Sequence, residues 1–140
     1  MSKRVNVQDT IQVVGNVDEL QKAVELSESK VVMIDCHLDW CGPTTAILPF
    51  YNALWMEVEE PSDVMQPMTM NIANNPEILT KITPWCKAQG INIEEQGCKP
   101  LFLVLRMGHC VGAVDGCNTA NFRMLVDLNL PKRKKKEDKK

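Results

Sequence analysis

The run Asp39-Trp40-Cys41-Gly42-Pro43-Thr44 sets one cysteine directly before a Gly-Pro pair. The segment from Cys41 to about Met56 reads as a helix, with Pro43 in its first turn, where a missing N–H costs little. Pro49 lies inside that segment and is expected to kink it. A thiol at a helix N-terminus meets unpaired N–H groups and the positive end of the helix dipole. Both favour the thiolate, so Cys41 is expected to be more reactive than a free cysteine. Gly42 permits a tight turn. A dithiol reduces a disulfide in two steps: one thiolate attacks, and a second cysteine breaks the mixed disulfide. Thr44 stands where that second cysteine would be in a Cys-X-X-Cys pair. Its hydroxyl can hydrogen-bond a neighbouring thiolate but cannot expel a substrate.

Upstream of this run, Val31-Val32-Met33-Ile34 is a continuous apolar stretch, the pattern of a central strand buried on both faces. Val5 to Val14 alternates weakly and suggests a first strand. Asn16 and Glu19 form a capping-box pattern before a helix whose inner face holds Leu20, Ala23, Val24 and Ser27. Downstream, Pro61 to Pro67 reads as a connection, Met68 to Ile72 as a strand, and Asn75-Pro76 as the start of a helix ending near Cys86 or Ala88. Gly90 to Cys98 reads as an irregular loop. Leu101 to Leu105, a turn at Gly108, and Cys110 to Val114 make a hairpin. Thr119 is expected to cap a last helix with Phe122, Leu125, Val126 and Leu128 on its apolar side. Strands alternating with helices, then a hairpin and a helix, imply an α/β fold with a central mixed sheet flanked by helices.

The chain has 140 residues, 44% hydrophobic and 24% charged, which suits one core. Met1 to Thr10 lacks the apolar core of a secretory signal, and no run approaches the roughly 20 apolar residues of a membrane helix. The expectation is a soluble intracellular protein without membrane association. Six cysteines then read as reduced thiols rather than a disulfide framework. No cysteine spacing is CxxC, and His37 and His109 make no zinc pattern with them, so neither metal nor cofactor is expected. Lys132 to Lys140 holds seven basic and two acidic residues, a charge of +5, against −7 for the rest. This reads as a disordered tail, either solubilising or suited to an acidic surface; nucleic acid is not expected as a partner. Cys36, Cys110 and Cys117 are expected to be small buried residues beside strands, and Cys86 a helix-face residue. Met65, Met68 and Met70 read as core filler, and His37 as a strand-end residue.

In combination these features resemble the thioredoxin family over about residues 5 to 130. Trp40-Cys41-Gly42-Pro43 matches four of the five residues of that family's WCGPC site. Asp35, six residues before Cys41, matches its buried aspartate, and Pro49 the proline that kinks the active-site helix. Asn71-Ile72, Asn75-Pro76, Pro100 before Leu101, Gly108 and Gly116 match further landmarks. The resemblance implies a thioredoxin fold over residues 1–131, followed by the tail. It implies catalytic roles for Cys41 as nucleophile and Asp35 as buried acid/base, if the site is active. It implies binding roles for Trp40, Gly42, Pro43, Thr44, Lys99, Pro100 and Gly116, with Pro100 as a cis-proline that opens strand-edge groups to an extended peptide. Cys98, two residues before Pro100, is a candidate to resolve a Cys41 disulfide, against the simpler reading of a spectator thiol. Thr44 replaces the resolving cysteine, Thr69 the lysine that accompanies the buried aspartate, and His37 an aromatic. The segment from Asn71 to Pro100 is longer than usual in the family.

Within the family the chain looks most like the thioredoxin-like light chains of ciliary and flagellar outer-arm dynein. The residues behind this are Val5-Asn6-Val7-Gln8-Asp9-Thr10, Glu25 to Lys30, Gln96-Gly97-Cys98-Lys99-Pro100 and Val114-Asp115-Gly116. That likeness implies a non-catalytic or weakly redox-active subunit in the cytoplasm and axoneme. It would dock on a dynein heavy or intermediate chain and sense redox state through Cys41. The alternative is a soluble cytosolic monothiol disulfide oxidoreductase.

Overall fold

The computed structural model describes residues 10–37, 48–58, 60–73, 75–93, 101–115 and 119–130. Its elements are β1 (Gln12–Val14), α1 (Val17–Leu26), β2 (Val31–His37), α2 (Leu48–Glu57), α3 (Pro61–Val64), β3 (Met65–Asn71), α4 (Pro76–Ala88), β4 (Leu101–Arg106), β5 (His109–Asp115) and α5 (Thr119–Asn129). The strands form one sheet in the order β1-β3-β2-β4-β5. β1, β3 and β2 run parallel, and β4 and β5 run antiparallel to their neighbours. The mixed α/β sheet expected from the sequence is present.

β2 lies at the centre because its residues are apolar on both faces. Val32, Ile34 and Cys36 join a core with Leu20 and Ala23 of α1 and Ile78, Ile82 and Cys86 of α4. Val31 and Met33 join a second core with Tyr51, Leu54 and Trp55 of α2 and Phe122 and Val126 of α5. Met65, Met68 and Met70 are buried, as expected.

Local chemistry sets the element ends. Asn16 Oδ1 accepts from the Glu19 N–H at 2.9 Å, and Glu19 Oε1 accepts from the Gly15 N–H at 2.6 Å. This is a capping box shifted back by one donor. Asn75 precedes α4 without a side-chain cap; its amide instead donates to Asn71 O at 2.8 Å. Arg106 donates to Asn129 O at the end of α5 and to Ser27 O and Glu28 O after α1, so one guanidinium serves the carbonyls that close two helices.

Three expectations are corrected. The connection at residues 61–67 is a short helix, Pro61–Val64, followed directly by β3, which begins at Met65 rather than Met68 and ends at Asn71. Pro67 fits inside β3 because pairing with β1 begins only at Met68. The Gln66 side chain bridges this end of the ladder, donating to Thr10 O at 2.6 Å and Pro67 O at 2.8 Å. Leu128 is 73% exposed, because it lies two positions beyond Val126 and so points away from the buried side of α5. Thr119 is the first residue of α5 rather than its cap. The start of the Cys41 helix and the Pro49 kink involve residues 38–47, outside the described residues; Pro49 itself sits in the first described turn of α2.

The β4–β5 connection is a two-residue turn in which Met107 (φ 59°) and Gly108 (φ 81°) both take left-handed backbone, as a type I′ hairpin requires. Glycine suits position 108, whereas Met107 is a strained choice. Met107→Asn should raise the stability of the protein by about 1 kcal/mol, read as a higher urea midpoint at unchanged slope. Beyond the turn, Val111 is a bulge, since Val104 pairs with Gly112 and Leu105 with Cys110. Gly112 lets α5 approach, because a Cβ there would stand 2.6 Å from Leu125 Cδ1.

Candidate functional site

Strand alternation puts Asp35 and His37 on the same face of β2 as Val31 and Met33, the face covered by α2 and α5. Sheet register extends this into rows. Thr69 of β3, Asp35 of β2, Phe102 of β4 and Val114 of β5 stand side by side, and Asn71 stands beside His37 in the next row. The polar side chains of this face gather at the C-terminal ends of two parallel strands, where α/β sheets carry their sites.

Asp35 is 4% exposed at the centre of the sheet. A carboxyl this deep is costly to ionise without partners. Thr69 Oγ1 donates to the backbone oxygen of Asp35 at 3.5 Å, so this hydroxyl turns to the main chain. His37 is half-buried at the end of β2, and its carbonyl accepts from the Ile72 N–H at 2.8 Å. Asn71 Oδ1 accepts from the Ala73 N–H at 2.8 Å, which shapes the turn into α4.

Tyr51 of α2 packs over this face. Its ring meets Phe122 edge-on at 6.2 Å, and Phe122 stacks on Phe102, the neighbour of Asp35 in register, at 4.9 Å. Burial pushes the Tyr51 phenol above its ordinary range, and the nearby Asp35 carboxyl and Cys36 thiol add to that. Tyr51 was not among the residues singled out from the sequence. The available signal was that it is the chain's one tyrosine, set at helical spacing with Leu54 and Trp55.

The other face holds inert thiols. Burial raises Cys36 well above the ordinary thiol range, with Cys86, Asp35 and Cys110 adding to it. Burial pushes Cys86 up to about 11, with Cys110 adding. Cys86 is therefore a core residue. Cys110 is only half-buried, and burial raises it against the hydrogen bonds from the Gly112 and Val104 backbone. Cys36 and Cys86 should stay unmodified by a thiol reagent at pH 8 in the native protein and react at once in denaturant. No group of three or more His, Cys, Asp or Glu that could hold a metal occurs among the described residues.

Of the catalytic and binding residues that the resemblance implies, Asp35 is the one that falls among the described residues. Trp40, Cys41, Gly42, Pro43, Thr44, Cys98, Lys99, Pro100, Gly116, Cys117 and the tail lie outside the described residues. The described ends to which the site segments attach do meet. Cys36, next to the last residue of β2, pairs with Leu101, the residue after Pro100, and Leu101 pairs with Asp115, the residue before Gly116. The chain thus leaves for Cys41, arrives from Pro100 and leaves for Gly116 at one end of the sheet, beside Asp35.

This sheet order and its helices are the thioredoxin fold. The structure superposes on spinach chloroplast thioredoxin f with a TM-score of 0.61 at 24% identity, over 92% of this chain and 98% of that one. On the thioredoxin of Malassezia sympodialis the TM-score is 0.60 at 19% identity, over 85% and 90%. In sequence, the chain is 28% identical to Thioredoxin-T of Drosophila melanogaster over 114 residues, which are 81% of this chain and 63% of that protein. It therefore spans less than two thirds of Thioredoxin-T. It is 24% identical to the thioredoxin of Callithrix jacchus over 81% of this chain and 93% of that protein. No family model matches the chain. The chain thus shares the thioredoxin fold and is similar in sequence to curated thioredoxins.

No helix among the described residues is long and apolar enough to cross a membrane.

Proposed function

We propose that this is a monothiol thioredoxin-like protein that exchanges disulfides through Cys41. The observation that carries this reading is the buried Asp35 carboxyl at the end of the sheet from which the chain runs to Cys41. The likeness to curated thioredoxins supports exchange chemistry over a purely structural role.

In the proposed step, the Cys41 thiolate attacks one sulfur of a partner disulfide. A bond forms between Cys41 Sγ and that sulfur, the partner's S–S bond breaks, and the other partner sulfur leaves as a thiolate that takes up a proton. With Thr44 in place of a second motif cysteine, the adduct persists until another thiol attacks it: Cys98, or a small thiol of the glutathione class. The protein is then a covalent capture device rather than a fast reductase. With a disulfide-linked peptide as probe, the wild type should gain the mass of one thiol half of the peptide, and Cys41→Ser should gain none at that position.

A second reading keeps the fold as a docking subunit of the axonemal outer dynein arm, on a heavy or intermediate chain. Thr44 and Thr69, which remove the parts of a reductive cycle, and the sequence likeness to the dynein light chains favour it. Co-sedimentation of the native protein with a dynein chain, unchanged by Cys41→Ser, would support docking. Sedimentation free of any dynein chain would oppose it.

A further inference from the structure

Tyr51 has the one buried side-chain polar atom without a hydrogen-bond partner among the described residues. The tyrosine is 2% exposed. An orphaned buried hydroxyl is destabilising by itself, so its retention calls for a use. A phenylalanine would fill the same cage, formed by Phe50 and Phe122, without the polar atom. What the hydroxyl adds is a proton donor inside the layer that Asp35 faces. Tyr51 and Asp35 share that layer: Asp35 stands beside Phe102 in the sheet, Phe102 stacks on Phe122, and Phe122 meets the Tyr51 ring.

The two groups match chemically. Burial pushes the phenol above its ordinary range, so the hydroxyl is a donor at neutral pH. A buried carboxylate needs donors to remain charged. Among the described residues, the other titratable or charged groups around this layer are few. β2 adds His37 and, on its other face, the Cys36 thiol that also acts on the phenol, and β3 adds none. β4 adds Arg106 at its far end, committed to backbone oxygens after α1 and at the end of α5. α2 adds Glu57 and α5 adds Arg123 and Asp127, which pair with one another at the surface. Thr69 spends its hydroxyl on the backbone of Asp35.

We infer that Tyr51 is the positioning residue of Asp35, donating its hydroxyl proton towards that carboxylate across one water. Asp35 is thereby kept as a proton acceptor at the end of the sheet from which the chain runs to Cys41. The inference deepens the exchange reading and rests on it only for its catalytic consequence; the donor relation itself is tested without Cys41.

The carboxyl 13C signal of Asp35 gives its titration midpoint directly. A donor to the carboxylate lowers that midpoint, so Tyr51→Phe should raise it by about one pH unit. Phe122→Leu, which loosens the same cage but removes no donor, should leave it within about a fifth of that shift. In the wild type the 13Cζ signal of Tyr51, the chain's one tyrosine, should move with the Asp35 midpoint. An Asp35 midpoint unchanged in a folded Tyr51→Phe protein, an equal shift in Phe122→Leu, or a Tyr51 signal flat through the Asp35 titration would each overturn the inference. Failure of the exchange reading would show instead as an unreactive Cys41 with these titrations intact.

Discussion

Thr44→Cys should turn this protein into a catalytic disulfide reductase, with dithiothreitol-driven insulin reduction rising by about 100-fold or more. In the wild type, the proposed mixed disulfide at Cys41 waits for an external thiol at millimolar concentration. A cysteine at position 44 would place a resolving thiol three residues from Cys41, completing the Cys-X-X-Cys spacing. Well-oriented intramolecular groups reach effective concentrations of about 10⁵ M and above, so even a poorly aligned thiol at that position outcompetes a dissolved one. A gain of about 100-fold is therefore modest, leaving room for the absence of a lysine at Thr69. Turnover of Thr44→Cys no faster than that of the wild type would mean that Thr44 is not what limits the cycle.

Phe122→Ala should be the most damaging single truncation in the α2–α5 layer, lowering stability by about 3–5 kcal/mol. Phe122 is 1% exposed and stacks on Phe50 at 5.1 Å and on Phe102 at 4.9 Å, while Tyr51 meets it edge-on. One ring thus ties α5 to α2 and to the sheet, and each aromatic contact adds to the area it buries. Against a total stability of about 5–15 kcal/mol for such a domain, the loss takes a large share. At an ordinary slope it moves the urea midpoint down by about 2 M. A shift below about 0.5 M would mean that the layer repacks around the gap.

The parts of the fold written in local chemistry were legible. Val31 to Ile34 announced a strand buried on both faces, Asn16 and Glu19 a helix start, and Gly108 a hairpin turn, and all three stand in the structure. What misled was chemistry that depends on neighbours. Pro67 reads as a strand breaker, yet the β1 ladder starts one residue later and leaves its missing N–H harmless there. The apolar Leu128 reads as core, but its angle around α5 turns it to solvent.

The candidate site divides the same way. Asp35 was visible through the family resemblance, which sets a buried aspartate six residues before the motif cysteine. Tyr51 was not, because in sequence an aromatic at helical spacing is simply core. Only the sheet register and the unpartnered hydroxyl show that it shares a layer with Asp35.

Capture of a disulfide by Cys41 is the central claim, and intact-mass analysis with peptide mapping tests it most directly. The reduced protein is mixed near pH 7 with an equal amount of a disulfide-linked peptide. The account predicts one adduct per chain, mapped to Cys41, with release of one peptide thiol and slow loss of the adduct until small thiol is added. No adduct, or an adduct that maps elsewhere and survives Cys41→Ser undiminished, would contradict it.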